Sequence, residues 1–285
     1  MTTSANVSRR PSARIAVILA IGALAAAQTA IAAGPPPVGL GTAGSFAILA
    51  GTGITNTGAT TIVGDVGSHP TTSMTGFGTV VLTGTNHAGD AVTQGAKADL
   101  VTAYNTAFGA TPVTVVAGGT LGGQTLVGGV YNAGGVTLGL TGTLILDGEN
   151  DPDSVWVFQA TSDLITASSS TVSFINGGQP CNVFWQVTSS ATLGSGSTFA
   201  GTIMALTSIT MESGVTLNGR ALARNGTVTL INDTINRPTC SIPPDAAFSR
   251  ADPGTPLGPV LFALGVIGLM GALSVANLRA ARRQR

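Results

Sequence analysis

The sequence is poor in charge, and much of its positive charge lies at the two ends. Only 8% of the 285 residues are Asp, Glu, Lys or Arg, against about a quarter in an average soluble protein. Lys97 is the single lysine. Seven of the 12 basic residues are arginines close to the termini, namely Arg9, Arg10, Arg14, Arg279, Arg282, Arg283 and Arg285. The middle of the chain is therefore acidic and has no basic patch, which excludes a nucleic-acid-binding protein.

Residues that bind metals or carry out catalysis are also scarce. His69 and His87 have no other histidine or cysteine at metal-ligand spacing, and no Gly-x-Ser-x-Gly motif occurs. The glycines of 39–44 match a dinucleotide-binding string, but they neither follow a predicted strand nor open a helix. The acidic residues of 147–153 are interpreted as a solvated turn, because they lack an ordered ligand loop. The sequence therefore predicts no cofactor, no metal, no small-molecule substrate and no enzymatic activity.

The sequence predicts an export signal at the N-terminal end of the chain and a membrane anchor at the C-terminal end. Residues 1–32 have arginines followed by an apolar run and small residues, as in a cleaved signal peptide. Residues 259–276 are uncharged and apolar, and a basic cluster follows them. We therefore expect a Pro-rich stalk over 241–258, a transmembrane helix over 259–278 and a cytoplasmic tail over 279–285. A buried core helix and a cleaved wall-sorting signal are the alternatives for the apolar run.

The sequence contains two cysteines, Cys181 and Cys240. In an exported chain such a pair favours a disulfide over two free thiols. This bond would tie the repeated part of the chain to the segment that follows it. The prediction is therefore a surface-exposed domain, 40–240, with a disulfide close to its C-terminal end.

A short unit is repeated between Phe184 and Leu230. Residues from Gln186 to Gly201 match those from Met204 to Gly219 at an offset of 18 positions, and a third copy begins at Leu222. A period this short has no room for two helices and a turn. Each copy is therefore interpreted as one coil of a β-solenoid.

Apolar and hydroxyl residues alternate within each copy, which predicts strands with one buried and one exposed side. In the first strand of each coil the outward residues form one set: Thr137, Thr192, Thr210 and Thr229. In the second strand Thr198 and Thr216 point outward, while Phe199 and Leu217 point inward. Stacked coils would therefore place threonines in ladders on two faces, although Thr is also an ordinary residue for a solvent-facing strand.

A single long helix is predicted between Gly89 and Gly109. Val92, Ala96, Leu100, Ala103 and Ala107 recur with helical spacing. Asp90 is placed to cap its start, and Gly109 to end it. The strands around Trp156, Trp185, Met204 and Leu222 are apolar at nearly every position, which is typical of strands covered on both sides. We therefore expect the helix to cover the third face.

Several motifs together resemble the microbial ice-binding protein family, and the resemblance covers Leu40 to Cys240. The motifs lie in the segments Leu40–Ala50, Gly64–Pro70, Val183–Val187, Ser189–Gly194 and Asn218–Ala223. The resemblance implies a discontinuous, triangular β-helix with one long α-helix alongside. It also implies adsorption to ice through one flat face, without a cofactor.

Some members of this family repeat a Thr-Ala/Gly-x-Thr/Asn motif on the ice-binding face. By this resemblance the candidate ice-binding residues are Thr57, Thr60, Thr171, Ser195, Thr198, Ser213 and Thr216. They belong to the second ladder face, and the first face is the alternative site. The competing functions are a cell-surface adhesive solenoid that binds polysaccharide or protein and, with less support, a polysaccharide-processing enzyme.

Overall fold

The computed structural model describes residues 34–240, which form a mainly β structure with one α-helix, α1 (Ala91–Phe108). Short 3-10 helices occupy Gly41–Ser45, Phe77–Thr79, Ala117–Gly119 and Pro180–Asn182. The strands are β1 (Phe46–Ala50), β2 (Gly53–Thr57), β3 (Thr60–Val63), β4 (Asp65–Ser68), β5 (Met74–Thr75), β6 (Val80–Thr83), β7 (Asn86–Ala88), β8 (Val113–Val115), β9 (Thr125–Leu126), β10 (Gly129–Asn132), β11 (Leu138–Leu140), β12 (Thr143–Asp147), β13 (Trp156–Ala160), β14 (Leu164–Thr166), β15 (Thr171–Ile175), β16 (Val183–Val187), β17 (Ala191–Leu193), β18 (Thr198–Ala205), β19 (Ile209–Met211), β20 (Thr216–Ala223), β21 (Thr227–Ile231) and β22 (Thr234–Asn236).

The strands stack in parallel into three faces, with neighbouring coils about 4.8 Å apart. Face 1 has the order β11-β14-β17-β19-β21-β2-β5. Face 2 contains β9, β12, β15, the first halves of β18 and β20, then β22, β3 and β6. Face 3 contains β8, β10, β13, β16, the second halves of β18 and β20, then β1, β4 and β7. The parallel sheets and the single helix fit the predicted β-solenoid.

The coils do not stack in the order of the sequence. Strand β1 pairs with the end of β20, with Ile48 opposite Ala221, and β2 pairs with β21. The first coil therefore lies beyond the last one, and β4 to β7 extend the stack further. Helix α1 carries the chain back toward the opposite end, where β8 pairs with β10. Its 18 residues span roughly 27 Å at 1.5 Å per residue, or between five and six coil spacings.

Helix α1 begins and ends where the sequence predicts. The Asp90 side chain accepts a hydrogen bond from the Thr93 backbone N–H, which caps the first turn, and Gly109 is the C-cap. Its buried residues are Thr93, Ala96, Leu100, Ala103, Tyr104 and Ala107. Val92, predicted to belong to the buried stripe, is 45% exposed. The stripe packs against outward residues of face 3, including Phe184, Met204 and Leu222.

The predicted membrane anchor is not part of this fold. Within residues 34–240 no helix is long and apolar enough to cross a membrane. Helix α1 carries charged residues and uses its apolar stripe to cover face 3. The predicted fold class is therefore corrected to a β-solenoid with one helix, and anchoring at the cell surface through a membrane-spanning helix is not supported by the described residues. The segments 1–32, 241–258, 259–278 and 279–285 lie outside the described residues.

The C-terminal end of the described chain is held by a disulfide between Cys181 and Cys240. The two Cα atoms are 6.0 Å apart, and 59 positions separate the residues in the sequence. Cys181 lies in the 3-10 helix that precedes β16. The bond therefore fixes the segment after β22 to an earlier coil of the solenoid, as expected from the sequence.

Candidate functional site

Face 2 carries one uninterrupted column of threonines. Thr143 lies opposite Thr171, Thr171 opposite Thr198, and Thr198 opposite Thr216. Thr216 then lies opposite Thr234, and Thr234 opposite Thr61. We call these six residues the face 2 ladder. With about 4.8 Å between coils, it extends over roughly 24 Å.

The face 2 ladder is held in place by the core beneath it. Each of its threonines is followed by a buried apolar residue, namely Leu144, Val172, Phe199, Leu217, Ile235 and Ile62. Because side chains alternate along a strand, burial of these residues turns the threonines outward. Threonine is also stiff at χ1, so its methyl and hydroxyl groups keep a defined direction.

The surface beside the ladder is uncharged. Two residues further along the strands, the outward positions are Ile145, Ser173, Asn218, Asn236 and Val63, while the corresponding residue of β18, Ala200, is buried. None of the hydroxyls of the face 2 ladder makes a hydrogen bond within residues 34–240, so all six are free to bind water. Face 2 is thus a regular array of methyl groups and free hydroxyls.

Face 1 carries a second column of threonines. Thr192 lies opposite Thr210, Thr210 opposite Thr229, Thr229 opposite Thr55, and Thr55 opposite Thr75. We call these five residues the face 1 ladder. Toward β11 the column continues with Ile165 and Gly139. Thr137, predicted to belong to this set, is exposed but precedes β11, and Gly139 takes its place in the column.

Two cationic side chains, those of Lys97 and Arg220, lie away from both ladders and stabilise face 3. Lys97 on α1 donates hydrogen bonds to the carbonyls of Ala223 and Arg224, and burial lowers its pKa to about 8. Arg220 is buried and donates to the carbonyl of Gly44 and the hydroxyl of Thr202. These groups contribute to the packing around face 3.

Comparison with known proteins identifies the family. The family described as Ice-binding-like matches residues 48–236. An ice-binding protein of Nostoc sp. (strain HG1) is 41% identical over 257 residues, covering 88% of this chain and 94% of the relative. This chain belongs to the ice-binding-like family. The family predicted from the sequence motifs is confirmed.

Other relatives of the ice-binding-like family extend the similarity to solved structures. An ice-binding protein of Colwellia sp. is 33% identical over 247 residues, which is 80% of this chain and 94% of the relative. The crystal structure of an ice-binding protein from the Antarctic ascomycete Antarctomyces psychrotrophicus is 42% identical, with a TM-score of 0.68. That likeness covers 71% of this chain and 99% of the other. The similarity thus includes both the sequence and the solenoid.

The structure brings together three of the seven residues selected from the family motif. Thr171, Thr198 and Thr216 are members of the face 2 ladder. Ser195 and Ser213 lie in the turns that connect face 1 to face 2. The Ser195 hydroxyl donates to the carboxylate of Glu212 at 3.1 Å, and the Ser195 backbone N–H donates to the same oxygen. Ser195 is thus tied to the corresponding turn of the next coil.

The remaining two motif residues are not on face 2. Thr57 is exposed but ends β2 on face 1, opposite Ile231. Thr60 is 0% exposed, and its hydroxyl accepts a hydrogen bond from the Asp233 backbone N–H. The assignment of Thr60 to the surface is therefore corrected. The chain between β2 and Thr61 has one residue more than the chain between β21 and Thr234, and this shifts Thr60 into the interior.

The sequence-based assignment also missed three members of the face 2 ladder: Thr61, Thr143 and Thr234. One signal for Thr234 was present, because Thr234-Ile235-Asn236 repeats the pattern of Thr216-Leu217-Asn218 at the same offset of 18. Thr61 and Thr143 follow turns of different length, so the repeat does not mark them. Only strand pairing places them in the column.

A buried carboxylate supports the corner behind the ladder. Asp233, 1% exposed, accepts hydrogen bonds from the backbone N–H groups of Ile231 at 2.7 Å and Val215 at 2.9 Å. Burial nevertheless raises the pKa of Asp233 from 3.8 to about 6, because removal from water disfavours the charged form. The charged form is therefore less stable in the folded protein than in the unfolded chain.

We expect Asp233 to make the protein less stable as the pH rises from about 4 to about 6. Over this range the unfolded chain releases the proton first while the folded state keeps it, so the free energy of unfolding falls. A shift of about two pKa units corresponds to a fall of about 3 kcal/mol. Asp233→Asn should remove this slope, measured as the free energy of unfolding in urea at several pH values. An equal slope in both proteins would contradict the assignment.

Proposed function

We propose that this protein adsorbs to ice crystals through the face 2 ladder and inhibits ice growth or recrystallisation. The observation that carries the proposal is a column of six threonines in register, with free hydroxyls and no charged neighbour in the adjoining column. The relatives named above as ice-binding proteins support the activity itself. The ladder supports the choice of face.

Ice presents a regular lattice of oxygen atoms, so a surface that binds it must order water over a regular array. The face 2 ladder offers one hydroxyl and one methyl group per coil at a fixed repeat of about 4.8 Å. Because the threonines are rigid, little rotamer entropy is lost when water orders above them. Water ordered on the ladder merges with the growing lattice and fixes the protein to the crystal.

Adsorption of this kind restrains the growth front mechanically. Ice can advance only between bound molecules, so its surface becomes curved there. A curved surface melts at a lower temperature than a flat one, which lowers the local freezing point. No catalytic residue, cofactor or metal takes part, and residues 40–240 are the domain to which we assign this activity.

The alternative function, an adhesive solenoid that binds polysaccharide, is less well supported. Sugar binding by a solenoid face would favour an outward row of aromatic rings. Trp156 and Trp185 are both 0% exposed and belong to the interior core. The outward positions of the face 2 strands carry threonine, serine, asparagine and aliphatic residues, with Asp147 at the end of β12.

The experiment that tests the proposal follows a single ice crystal in a solution of the full chain during slow cooling below the melting point. We expect a faceted crystal and a gap between the melting and freezing temperatures. The same sample after heat denaturation is the control. Unhindered growth of a rounded crystal at high concentration, with circular dichroism showing folded β structure, would contradict the proposed function.

A further inference from the structure

The two ladders are built on the same coils. Four successive coils each carry one threonine of either ladder, in the pairs Thr192 and Thr198, Thr210 and Thr216, Thr229 and Thr234, and Thr55 and Thr61. The two threonines of a pair are separated only by the turn between face 1 and face 2. The ladders therefore run side by side along the stack, on adjacent faces of one rigid body.

The hydroxyls of the face 1 ladder are not needed by the fold. Those of Thr192, Thr210 and Thr229 make no hydrogen bond within residues 34–240. Thr75 and Thr55 contact each other, hydroxyl to hydroxyl, at 3.3 Å. The inward neighbours of these threonines, including Ile209, Met211 and Val228, are buried and fix the strands.

In a neighbouring column on face 1, the hydroxyl groups do have a structural role, because they accept hydrogen bonds from the backbone. The hydroxyl of Ser190 accepts a hydrogen bond from the backbone N–H of Ser208, and the hydroxyl of Ser208 accepts one from Thr227. Each of these groups satisfies a donor of the next coil. The face 1 ladder, two residues further along each strand, has no such role, so its regularity is not explained by backbone hydrogen bonding.

We propose that the face 1 ladder is a second ice-binding surface, so that one molecule adsorbs to ice through two adjacent faces. This inference rests on the proposed function, because it assigns to face 1 the same contact with ordered water. It also predicts a difference between the faces. The face 1 ladder has five threonines and extends over roughly 19 Å, against roughly 24 Å for the face 2 ladder, and is therefore the weaker surface.

The two faces are expected to select different planes of the crystal. Both faces have the same repeat along the stack, but the residues beside the ladder, in the direction perpendicular to the stack, differ between them. Beside the face 1 ladder lie Ser208 and Thr227 on one side and Glu212, Ile231 and Thr57 on the other. Beside the face 2 ladder lies an uncharged column with Asn218 and Asn236. Water ordered over the two surfaces thus has different lateral spacing, and matches different lattice planes.

The test uses matched variants on one coil, Thr210→Asp on face 1 and Thr216→Asp on face 2. The full chain with a fluorescent protein at its N-terminus is frozen into single-crystal ice hemispheres, and the fluorescent planes are recorded. We expect two sets of planes for the unmodified chain. Each single variant should lose one set and keep the other, and the double variant should fall to background fluorescence. Circular dichroism and thermal unfolding check that each variant is folded, and Thr229→Asp replaces Thr210→Asp if the latter unfolds.

Three results would overturn the inference, and they can be told apart from failure of the proposed face. If Thr216→Asp alone removes all fluorescence, face 1 does not bind ice and face 2 stands. If Thr210→Asp alone removes it, face 1 is the single ice-binding surface and the assignment to face 2 is wrong as well. If the double variant keeps the pattern of the unmodified chain, neither ladder is the contact surface.

Discussion

The variant Thr198→Asp is expected to lose the contribution of face 2 to thermal hysteresis, at least about half of the total, while keeping its fold. Thr198 lies in the face 2 ladder between Thr171 and Thr216 and is exposed. A carboxylate there binds its own shell of water, which does not fit an ice lattice. Removing that shell costs several kcal/mol, whereas a tenfold weaker interaction corresponds to about 1.4 kcal/mol. Any activity that is left would come from the face 1 ladder.

The measurement compares thermal hysteresis and crystal shape for Thr198→Asp, the unmodified chain and a matched control. The control is Thr102→Asp, because Thr102 is an exposed threonine on α1, the element that covers face 3. It receives the same charge but lies on neither ladder, so its activity should equal that of the unmodified chain. Full hysteresis in Thr198→Asp would show that face 2 is not the ice-binding face. Equal losses in both variants would point to an effect of net charge instead.

Local patterns in the sequence were sufficient to predict the type of coil and the helix. The 18-residue repeat between Phe184 and Leu230 corresponds to strands that stack in register, with Thr198 opposite Thr216 and Phe199 opposite Leu217. The caps of α1 at Asp90 and Gly109 could also be predicted, because a helix cap depends only on residues within about one turn of the helix end. These features depend only on residues close to one another in the chain.

Local sequence patterns were not sufficient to predict all six residues of the face 2 ladder. In a strand, a shift of one residue moves every side chain to the other side. The extra residue in the turn before β3 therefore replaces Thr60 with Thr61 in the ladder, although Thr60 fits the family motif. The turn has three residues before Thr61 and two before Thr234, and the pairing of the strand with the next coil decides which threonine enters the ladder. For β3 that coil contains β22, 171 or more positions later in the chain.

The stacking order is likewise a long-range property. Nothing close to Ile48 in the sequence indicates that it lies opposite Ala221. The apolar strands of face 3 indicate that the helix covers them, but not that α1 returns the chain from one end of the stack to the other. The same limit applies to the ladder, because Thr61 joins it only through the contact between the first and the last coil.

The second large effect is expected from Trp185→Ala, which removes the centre of an aromatic stack inside the solenoid. Trp185 is 0% exposed. Its ring lies parallel to that of Phe158 with centroids 4.1 Å apart, and 4.7 Å from the ring of Phe199. Its indole N–H donates to the carbonyl of Ala200 at 2.8 Å. Loss of this packing and of the hydrogen bond should lower the free energy of unfolding by about 3–5 kcal/mol.

Chemical denaturation followed by circular dichroism measures this loss, with Phe108→Ala as the control. Phe108 is 59% exposed at the end of α1, so its removal should change the free energy of unfolding by only about 0.5 kcal/mol. A change below about 1 kcal/mol in Trp185→Ala would contradict the tight packing of the core.

The same variant also tests whether the core supports the ladder, because Phe199 packs on Trp185 and its burial turns Thr198 outward. A cavity below Phe199 should loosen the middle of the face 2 ladder, so the folded fraction of Trp185→Ala should show weaker hysteresis than an equal concentration of Phe108→Ala.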